Sequence, residues 1–252
     1  MRKNKDKIDI ILPNYNSSDY IIETIKSVIF QSYKNWRLLI VDDHSNNKTI
    51  NILKKYSKNK RIDIFYLKKN KGAAYCRNLA LKKSSSPYVA FIDSDDLWKK
   101  NKLKNQIEFM KKNNYNFTYT AYETFGRKKN YIIPPNKINF SEFIYNTSIA
   151  TSTMIIKKNA VGKTKFSNTL ICEDYFFKCK ILTKVKYAYC LNKRLGKYRI
   201  RGNSLQSNNF RNLYWIWKIN NKYNKLSFFL NLKSLLFISL NSLRKYGLKN
   251  IF

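Results

Sequence analysis

Apolar, strand-like runs alternate with helix-like segments through the first hundred residues of the chain. The strand-like runs are Ile8–Leu12, Leu38–Val41, Ile62–Leu67 and Tyr88–Ile92, and the helix-like segments are Tyr20–Gln31, Thr49–Tyr56 and Ala73–Lys83. Because strands and helices in alternation build parallel sheets, the pattern predicts an α/β fold with a doubly wound, mainly parallel sheet and helices on both faces. A chain of 252 residues is long enough to bury such a core.

The alternation loosens beyond Trp98. We predict helices at Leu103–Lys112 and Glu173–Leu182, strands at Phe117–Tyr122 and Ser152–Ile156, and a loop from Gly126 to Pro135. From Phe210 onward, aromatic and basic residues dominate the composition. We therefore predict one domain over residues 1–208, built from two halves at 1–98 and 99–208, followed by a helical tail over residues 209–252.

The chain is strongly basic. Lys plus Arg number 50 and Asp plus Glu number 15, so the formal net charge is +35. Such a surface attracts polyanions: nucleic acid, anionic lipid or phosphorylated substrates. The four cysteines form no CxxC pair, which predicts neither a disulfide framework nor a zinc site. The charged start of the chain and the interrupted apolar run Leu226–Leu240 predict neither a signal sequence nor a membrane span, so we expect a cytoplasmic protein.

Polar side chains follow several strands of the predicted sheet. Asp42 and Asp43 end the second strand, and Asp93, Asp95 and Asp96 follow the fourth. Because the carboxyl ends of parallel strands form the ligand-binding edge of such a sheet, we expect these carboxylates to converge. They would repel one another unless a hard divalent cation, bridging a diphosphate, lay between them. The alternative is that these aspartates form turns or cap helices.

Two further charged pairs occur later in the chain. Glu173 and Asp174 begin an apolar helix, where they either complement the helix dipole or supply a general base for an acceptor hydroxyl. Arg199 and Arg201 share one face of an extended segment, and they either bind diphosphate oxygens with their forked donors or are ordinary surface charge. No P-loop, dinucleotide-binding glycine motif or hydrolase nucleophile elbow accompanies these pairs.

The order of motifs along the chain resembles that of family 2 inverting glycosyltransferases of the bacterial surface-polysaccharide type. The segments are Ile10–Asn16, Ser27–Tyr33, Leu39–Ser45, Asn70–Asn78 and Phe91–Trp98, with further similarity at Glu173-Asp174 and Tyr198-Arg199. The resemblance implies a GT-A fold, a nucleotide-sugar donor with UDP as the carrier, and a displacement that inverts the anomeric carbon. Residues 1–98 would then bind the nucleotide and residues 99–208 the acceptor.

The resemblance also implies a role for individual side chains. The expected nucleotide-sugar-binding residues are Pro13, Tyr15, Asp42, Asp43, Asn70, Gly72, Arg77, Asp93, Asp96, Glu173, Arg199 and Arg201. Asp95, helped by Asp93, would bind Mn²⁺ or Mg²⁺, and Asp174 would be the catalytic base. One position departs from the family: many relatives carry a histidine where this chain has Arg201, so stabilisation of the diphosphate is expected to shift from metal toward arginine.

The implied acceptor is a glycan or a lipid-diphosphate-linked sugar. The basic tail is either a helix pair that closes the acceptor side of the domain or an amphipathic surface that rests on anionic lipid, which would place the protein on the inner face of the plasma membrane. Two other functions stay open. The charge and the aromatic residues also suit a nucleic-acid-binding protein, although no such motif occurs and nucleic acid is not the expected partner. A family member without activity would serve as a scaffold.

Overall fold

One ten-stranded mixed sheet organises the protein in a computed structural model that describes residues 5–201 and 209–246. The first half of the chain contains β1 (Ile8–Asn14), α1 (Ile21–Ile29), β2 (Trp36–Asp42), α2 (Asn47–Lys54), β3 (Ile62–Tyr66), α3 (Ala73–Lys83) and β4 (Tyr88–Phe91). The second half contains β5 (Leu97–Trp98), α4 (Lys102–Lys112), β6 (Phe117–Gly126), β7 (Asn130–Ile132), β8 (Lys137–Ile138), α5 (Phe140–Phe143), β9 (Ile155–Lys157), α6 (Lys158–Val161), α7 (Glu173–Leu182), β10 (Ala188–Ile200), α8 (Asn209–Lys222) and α9 (Phe228–Tyr246).

The strand order is β3-β2-β1-β4-β9-β6-β10-β5, with β7 paired to β6 and β8 to β10. Neighbouring strands from β3 to β4 are parallel. Strand β9 runs against both β4 and β6, and β10 is parallel to β6. The six longest strands, β1 to β4, β6 and β10, therefore point in one direction. This confirms the predicted mainly parallel sheet, and it places the carboxyl ends of these strands along one edge.

Helices cover both faces of the sheet, as predicted. In β1, Ile10 and Leu12 belong to the core beneath α1 and α4, whereas Ile11 belongs to the core beneath α3 and α7. All seven residues of β1 are buried. Burial between two helix layers favours apolar residues on both sides of a strand, which explains why the early strands are mainly apolar in the sequence; the buried Asp9 of β1 is an exception.

Two element predictions in the second half were wrong in detail. The strand predicted at Ser152–Ile156 begins later, because Thr151–Thr153 forms a short 3-10 turn. The hydroxyl of Thr153 donates to the backbone oxygen of Ala150 at 2.7 Å, a local bond that competes with strand pairing. Strand β7 lies inside the segment predicted as a loop from Gly126 to Pro135.

The longest strand, β10, was not predicted. Its middle residues, Asn192 to Arg194, are polar and exposed, and its register with β6 shifts twice between Leu191 and Gly196. Such irregularities break the alternation by which a strand is identified in a sequence. The strand exists because β6 supplies its backbone partners, and that partner is remote in the chain.

The last two helices confirm the predicted helical extension. Ile216 and Ile219 of α8 and Ile238 of α9 belong to the same core as α3 and α7. The proposed boundary at residue 208 borders residues 202–208, which lie outside the described part, and the division at residues 98 and 99 stays a prediction. Within residues 5–201 and 209–246, no helix is both long and apolar enough to cross a bilayer.

Candidate active site

The loop after β1 is held in place by Asp42. Asn14 donates to one carboxylate oxygen of Asp42 at 2.6 Å, and the backbone N–H of Ser45 donates to the other at 3.0 Å. Asp42 is buried, so the structure places it beneath the loop instead of at its surface. Pro13 is also buried, whereas Tyr15 stands half exposed on the loop, where its ring is free to stack on a planar ligand.

Asp43 organises the entrance to α3. One of its carboxylate oxygens accepts from the backbone N–H of Lys71 and the other from that of Gly72, both at 2.7 Å. The side chain of Asn70 donates to the backbone oxygen of Asp43 at 3.3 Å. Gly72 has a φ of 86°, a conformation that side-chain-bearing residues rarely adopt. The structure therefore brings together Asp43, Asn70 and Gly72, which the sequence assigned to one pocket.

Arg77 links the two halves of the chain. It donates to Asp93 and to Glu173, each at 2.7 Å, and its guanidinium is buried. Burial disfavours its charge, but the carboxylates of Asp93 and Glu173 outweigh burial and raise the pKa of Arg77. Burial in turn raises the pKa of Glu173, although Arg77 opposes the shift. The acidic turn after β4 and the start of α7 are thus joined through one cation.

Asp96 points inward from the acidic turn. It accepts from the hydroxyl of Ser152 at 2.5 Å and from the backbone N–H of Arg199 at 2.9 Å. Burial, followed by the charges of Asp95 and Asp93, raises the pKa of Asp96 well above its usual range. Ser152 also accepts from the backbone N–H of Asp93 at 3.0 Å, so it fixes both ends of the turn. Ser152 was not among the predicted site residues, because only the fold brings it to this turn.

Arg199 near the end of β10 and Arg201 just after that strand both contact Asp95. The Nε of Arg201 lies 2.7 Å from a carboxylate oxygen of Asp95, and the Nε of Arg199 donates to its backbone oxygen at 2.9 Å. Arg199 also pairs with Glu23 of α1 at 2.6 Å. Burial raises the pKa of Asp95, and the charge of Arg201 opposes that shift. Arg201 thus lies directly on the carboxylate that was predicted to bind metal.

The acidic turn offers a small donor set for a divalent cation. Asp93 and Asp95 are partly accessible, with 28% and 12% of their side-chain surfaces exposed. Among the residues that the structure describes, no group of three or more His, Cys, Asp or Glu side chains could hold a metal ion. Two carboxylates suit Mg²⁺ or Mn²⁺ when substrate phosphates and water complete the coordination. The residues therefore fit a cation shared with a diphosphate, and not one enclosed by protein.

Asp174 lies in the first turn of α7 with both of its oxygens engaged. Lys178 donates to one oxygen at 2.7 Å and Thr151 donates to the same oxygen at 2.9 Å, while the backbone N–H of Tyr175 donates to the other. Burial alone would raise the pKa of Asp174, but Lys178, aided by Arg77 and Thr151, holds it well below the usual range. Asp174 is therefore ionised at neutral pH.

Two of these partners were not predicted. Lys178 is four residues from Asp174 on a helix, a spacing at which side chains meet, so the sequence did contain a signal for this pair. Thr151 lies 23 residues before Asp174, and no local pattern indicates that contact.

Comparisons with known proteins identify the family to which the chain belongs. Residues 9–176 match the family described as Glycosyl transferase family 2. A Bacillus subtilis glycosyltransferase assigned to teichuronic acid biosynthesis, TuaG, is 35% identical over 229 residues, which cover 89% of this chain and 91% of the relative. WfgD of Escherichia coli, named as a UDP-Glc:alpha-D-GlcNAc-diphosphoundecaprenol beta-1,3-glucosyltransferase, is 35% identical over 84% of each chain.

The fold also has solved counterparts. A crystal structure of S. aureus TarS in complex with UDP-GlcNAc superposes with a TM-score of 0.72, covering 96% of this chain and 77% of that one at 22% identity. At that identity the likeness concerns the fold, which is the GT-A fold predicted from the sequence. The family match, by contrast, covers two thirds of the chain. The protein is a glycosyltransferase and belongs to glycosyltransferase family 2.

Proposed function

We propose that the protein transfers a sugar from a UDP-sugar donor to a hydroxyl group of a lipid-diphosphate-linked glycan, with inversion at the anomeric carbon, in surface-polysaccharide synthesis. One observation carries the proposal. Arg77 joins Asp93, on the donor side of the site, to Glu173, the residue immediately before Asp174. The donor-binding turn and the proposed base are therefore held at a defined separation by a single buried cation.

Asp174 is the proposed general base. The hydroxyl oxygen of the acceptor attacks the anomeric carbon, the bond from that carbon to the diphosphate oxygen breaks, and the hydroxyl proton passes to Asp174. An ionised carboxylate is competent for this step even when its pKa is low, because the attacking oxygen becomes strongly acidic as its new bond forms. Lys178 and Thr151 hold the carboxylate in one orientation.

The charge of the departing diphosphate requires nearby cations. A Mn²⁺ or Mg²⁺ ion held by Asp95 and Asp93 would act as a Lewis acid on the diphosphate oxygens. The acidic turn is also contacted by two arginines: Arg201 pairs with the carboxylate of Asp95, and Arg199 donates to its backbone oxygen. Tyr15 would stack on the nucleobase, and the pocket formed by Asp43, Asn70, Gly72 and Arg77 would bind the rest of the nucleoside.

The identity of the substrates is inferred from relatives. The Escherichia coli relative is named for a UDP-sugar donor and a diphosphoundecaprenol-linked acceptor, and the TarS structure contains UDP-GlcNAc. Both names suit a strongly basic chain, because each substrate is a diphosphate. A lipid-linked acceptor would place the protein in the cytoplasm beside the membrane. Neither the nucleic-acid-binding nor the scaffold alternative is favoured.

A donor and acceptor screen tests the proposal. The purified chain is incubated with Mn²⁺ and UDP-Glc, UDP-GlcNAc, UDP-Gal or GDP-Man, with and without a prenyl-diphosphate-linked GlcNAc acceptor, and product is detected by mass spectrometry. We expect transfer from a UDP-sugar and inversion at the new linkage. Transfer only from GDP-Man would overturn the donor class, and transfer only to sugars without a lipid diphosphate would overturn the acceptor class.

A further inference from the structure

Helix α9 exposes most of its large apolar residues, although Ile238 is in the core, and it buries two polar residues. Asn231 and Ser234 are buried against the body of the protein, whereas Phe229, Leu232 and Leu236 are 80%, 53% and 58% exposed. A helix that only closed a domain would have the reverse arrangement, with apolar residues inside and polar residues outside. The apolar side of α9 is therefore directed away from the body of the protein.

The exposed residues of α9 form a continuous stripe. Phe229, Leu232, Leu236 and Leu240 follow one another at intervals of three, four and four residues. At 3.6 residues per turn they fall within an arc of roughly 80°. We refer to these four residues as the outer stripe. On α8, Phe210 and Tyr214 are exposed one turn apart and add aromatic surface.

The polar residues on the inner side of α9 hold the outer stripe outward. Asn220 of α8 donates to Asn231 at 3.2 Å and to Ser234 at 3.0 Å, and Ser234 donates to the backbone oxygen of Ile144 at 2.5 Å. Turning the helix to bury the stripe would break these buried hydrogen bonds, which is costly. These hydrogen bonds therefore set the orientation of the outer stripe.

The charge around the outer stripe indicates which partner covers it. No Asp or Glu follows Asp174 in the sequence, whereas seventeen Lys and Arg residues do. Lys233 and Arg244 are exposed beside the stripe, and Lys218 is exposed on α8. A second copy of this chain would bring like charges into contact, and three of the four stripe residues are leucines, which offer no stacking surface to nucleic-acid bases. An apolar stripe whose exposed charged neighbours on the described parts of α8 and α9 are cations matches a bilayer with anionic headgroups.

We propose that the outer stripe docks on an anionic membrane surface, with Phe229, Leu232, Leu236 and Leu240 at the boundary of the acyl chains and the basic residues among the headgroups. The surface is coupled to the active site. The hydroxyl of Tyr175, the residue after Asp174, donates to Asn220 at 2.8 Å, so the cluster that orients the stripe also holds the start of α7. Docking would benefit catalysis only if the acceptor is lipid-linked, as proposed above. Docking itself does not depend on the identity of the acceptor.

Vesicle flotation tests the docking surface. The full chain is mixed at low salt with vesicles of phosphatidylcholine alone or of phosphatidylcholine and phosphatidylglycerol at a ratio of 3:1. A triple variant, Leu232→Gln with Leu236→Gln and Leu240→Gln, is compared with a control that carries Phe30→Gln and Ile133→Gln, two exposed apolar residues outside α8 and α9. We expect the triple variant to bind the anionic vesicles at least about tenfold more weakly, and the control to bind like the parent chain.

Several results would overturn the proposal. The first is that the parent chain does not bind the vesicles. The second is that the triple variant binds them as well as the parent does. The third is that the parent is a dimer in sedimentation equilibrium and the triple variant is a monomer, with no change in vesicle binding. Circular dichroism melts of both variants check that each is folded. UDP-sugar hydrolysis without vesicles is measured on the same samples. If the chain binds vesicles but hydrolyses no UDP-sugar, the result counts against the proposed function and not against the docking surface.

Discussion

The Nε of Arg201 lies 2.7 Å from a carboxylate oxygen of Asp95, the residue expected to hold a divalent cation. A guanidinium and a metal ion cannot share that oxygen without repulsion. We infer that Arg201 would compete with a metal at Asp95 in the absence of substrate, and that it would be released toward the diphosphate if the metal took its place.

The competition predicts that Arg201→Ala strengthens the binding of Mn²⁺ in the absence of nucleotide. We expect an increase in affinity of about fivefold, which corresponds to the loss of an opposing ion pair of about 1 kcal/mol. Electron paramagnetic resonance of free Mn²⁺ measures this without a turnover assay. Arg194→Ala, which removes an exposed arginine from the middle of β10, should change nothing. Unchanged Mn²⁺ affinity in Arg201→Ala would show that Arg201 does not compete.

Replacement of the proposed base separates binding from chemistry. Asp174→Asn keeps the size of the side chain but cannot accept the acceptor proton, so transfer should fall by ~10²–10⁴. The Kd for UDP, measured by titration calorimetry with Mn²⁺, should stay unchanged, because Asp174 lies on the acceptor side of Arg77 in the proposed site. Turnover close to that of the parent enzyme would remove Asp174 from the mechanism.

If Asp174 is the base, Lys178 should influence the pH profile of transfer. Because Lys178 lowers the pKa of Asp174, Lys178→Met should raise that pKa. The base would then become protonated at a higher pH, and the acidic limb of the kcat/KM profile should move upward. Lys178→Arg retains the charge and should leave the limb near its original position. A limb that is the same in all three proteins would mean that a group other than Asp174 sets it.

The buried cation Arg77 should matter for stability. Arg77→Met leaves Asp93 and Glu173 without a counter-charge and should lower the free energy of unfolding by about 3–5 kcal/mol. Adding Glu173→Gln to this variant removes one of the stranded charges and should recover part of the loss. Urea denaturation of the single and double variants measures the coupling. Strictly additive effects would contradict the proposed bridge.

Acid stability depends on Asp9, which lies far from the active site. Arg37 and the backbone N–H groups of Ser85 and Ser86 bind its carboxylate. Burial raises its pKa, but these bonds outweigh burial and lower it from 3.8 to about 2. A carboxylate with a lowered folded-state pKa stabilises the protein above pH 3.8, and the stabilisation disappears as the pH falls toward 2.

We therefore expect Asp9→Asn to lose about 2 kcal/mol of unfolding free energy at pH 7, and the difference from the parent chain to shrink below pH 4. Urea midpoints measured from pH 7 to pH 3 test this. Transfer per folded molecule should stay constant in the variant. A difference that does not change with pH would mean that the loss comes from packing and not from the charge.

The early strands and the acidic turns could be predicted because their signals are local. Apolar runs buried on both faces leave a continuous pattern, and Asp93, Asp95 and Asp96 directly follow one of them. The order of motifs was enough to indicate the family, whereas the donor site and Asp174 as the base stay predictions that the resemblance implies. Convergence of the early carboxylates needed only neighbours in the chain, because parallel strands bring their carboxyl ends to one edge.

Tertiary structure decided which groups meet at that edge. Arg199 and Arg201 reach Asp95 across more than a hundred residues, through a strand whose polar middle concealed it. Thr151 and Ser152 belong to a 3-10 turn, part of which was predicted as a strand. On the inner side of α9, Asn231 and Ser234 accept hydrogen bonds from Asn220 of α8. Local periodicity reports only whether a side chain faces a core. It carries no information about a distant partner, and in this protein distant partners fix the position of Asp174, the ion pair of Asp95 and the exposure of the outer stripe.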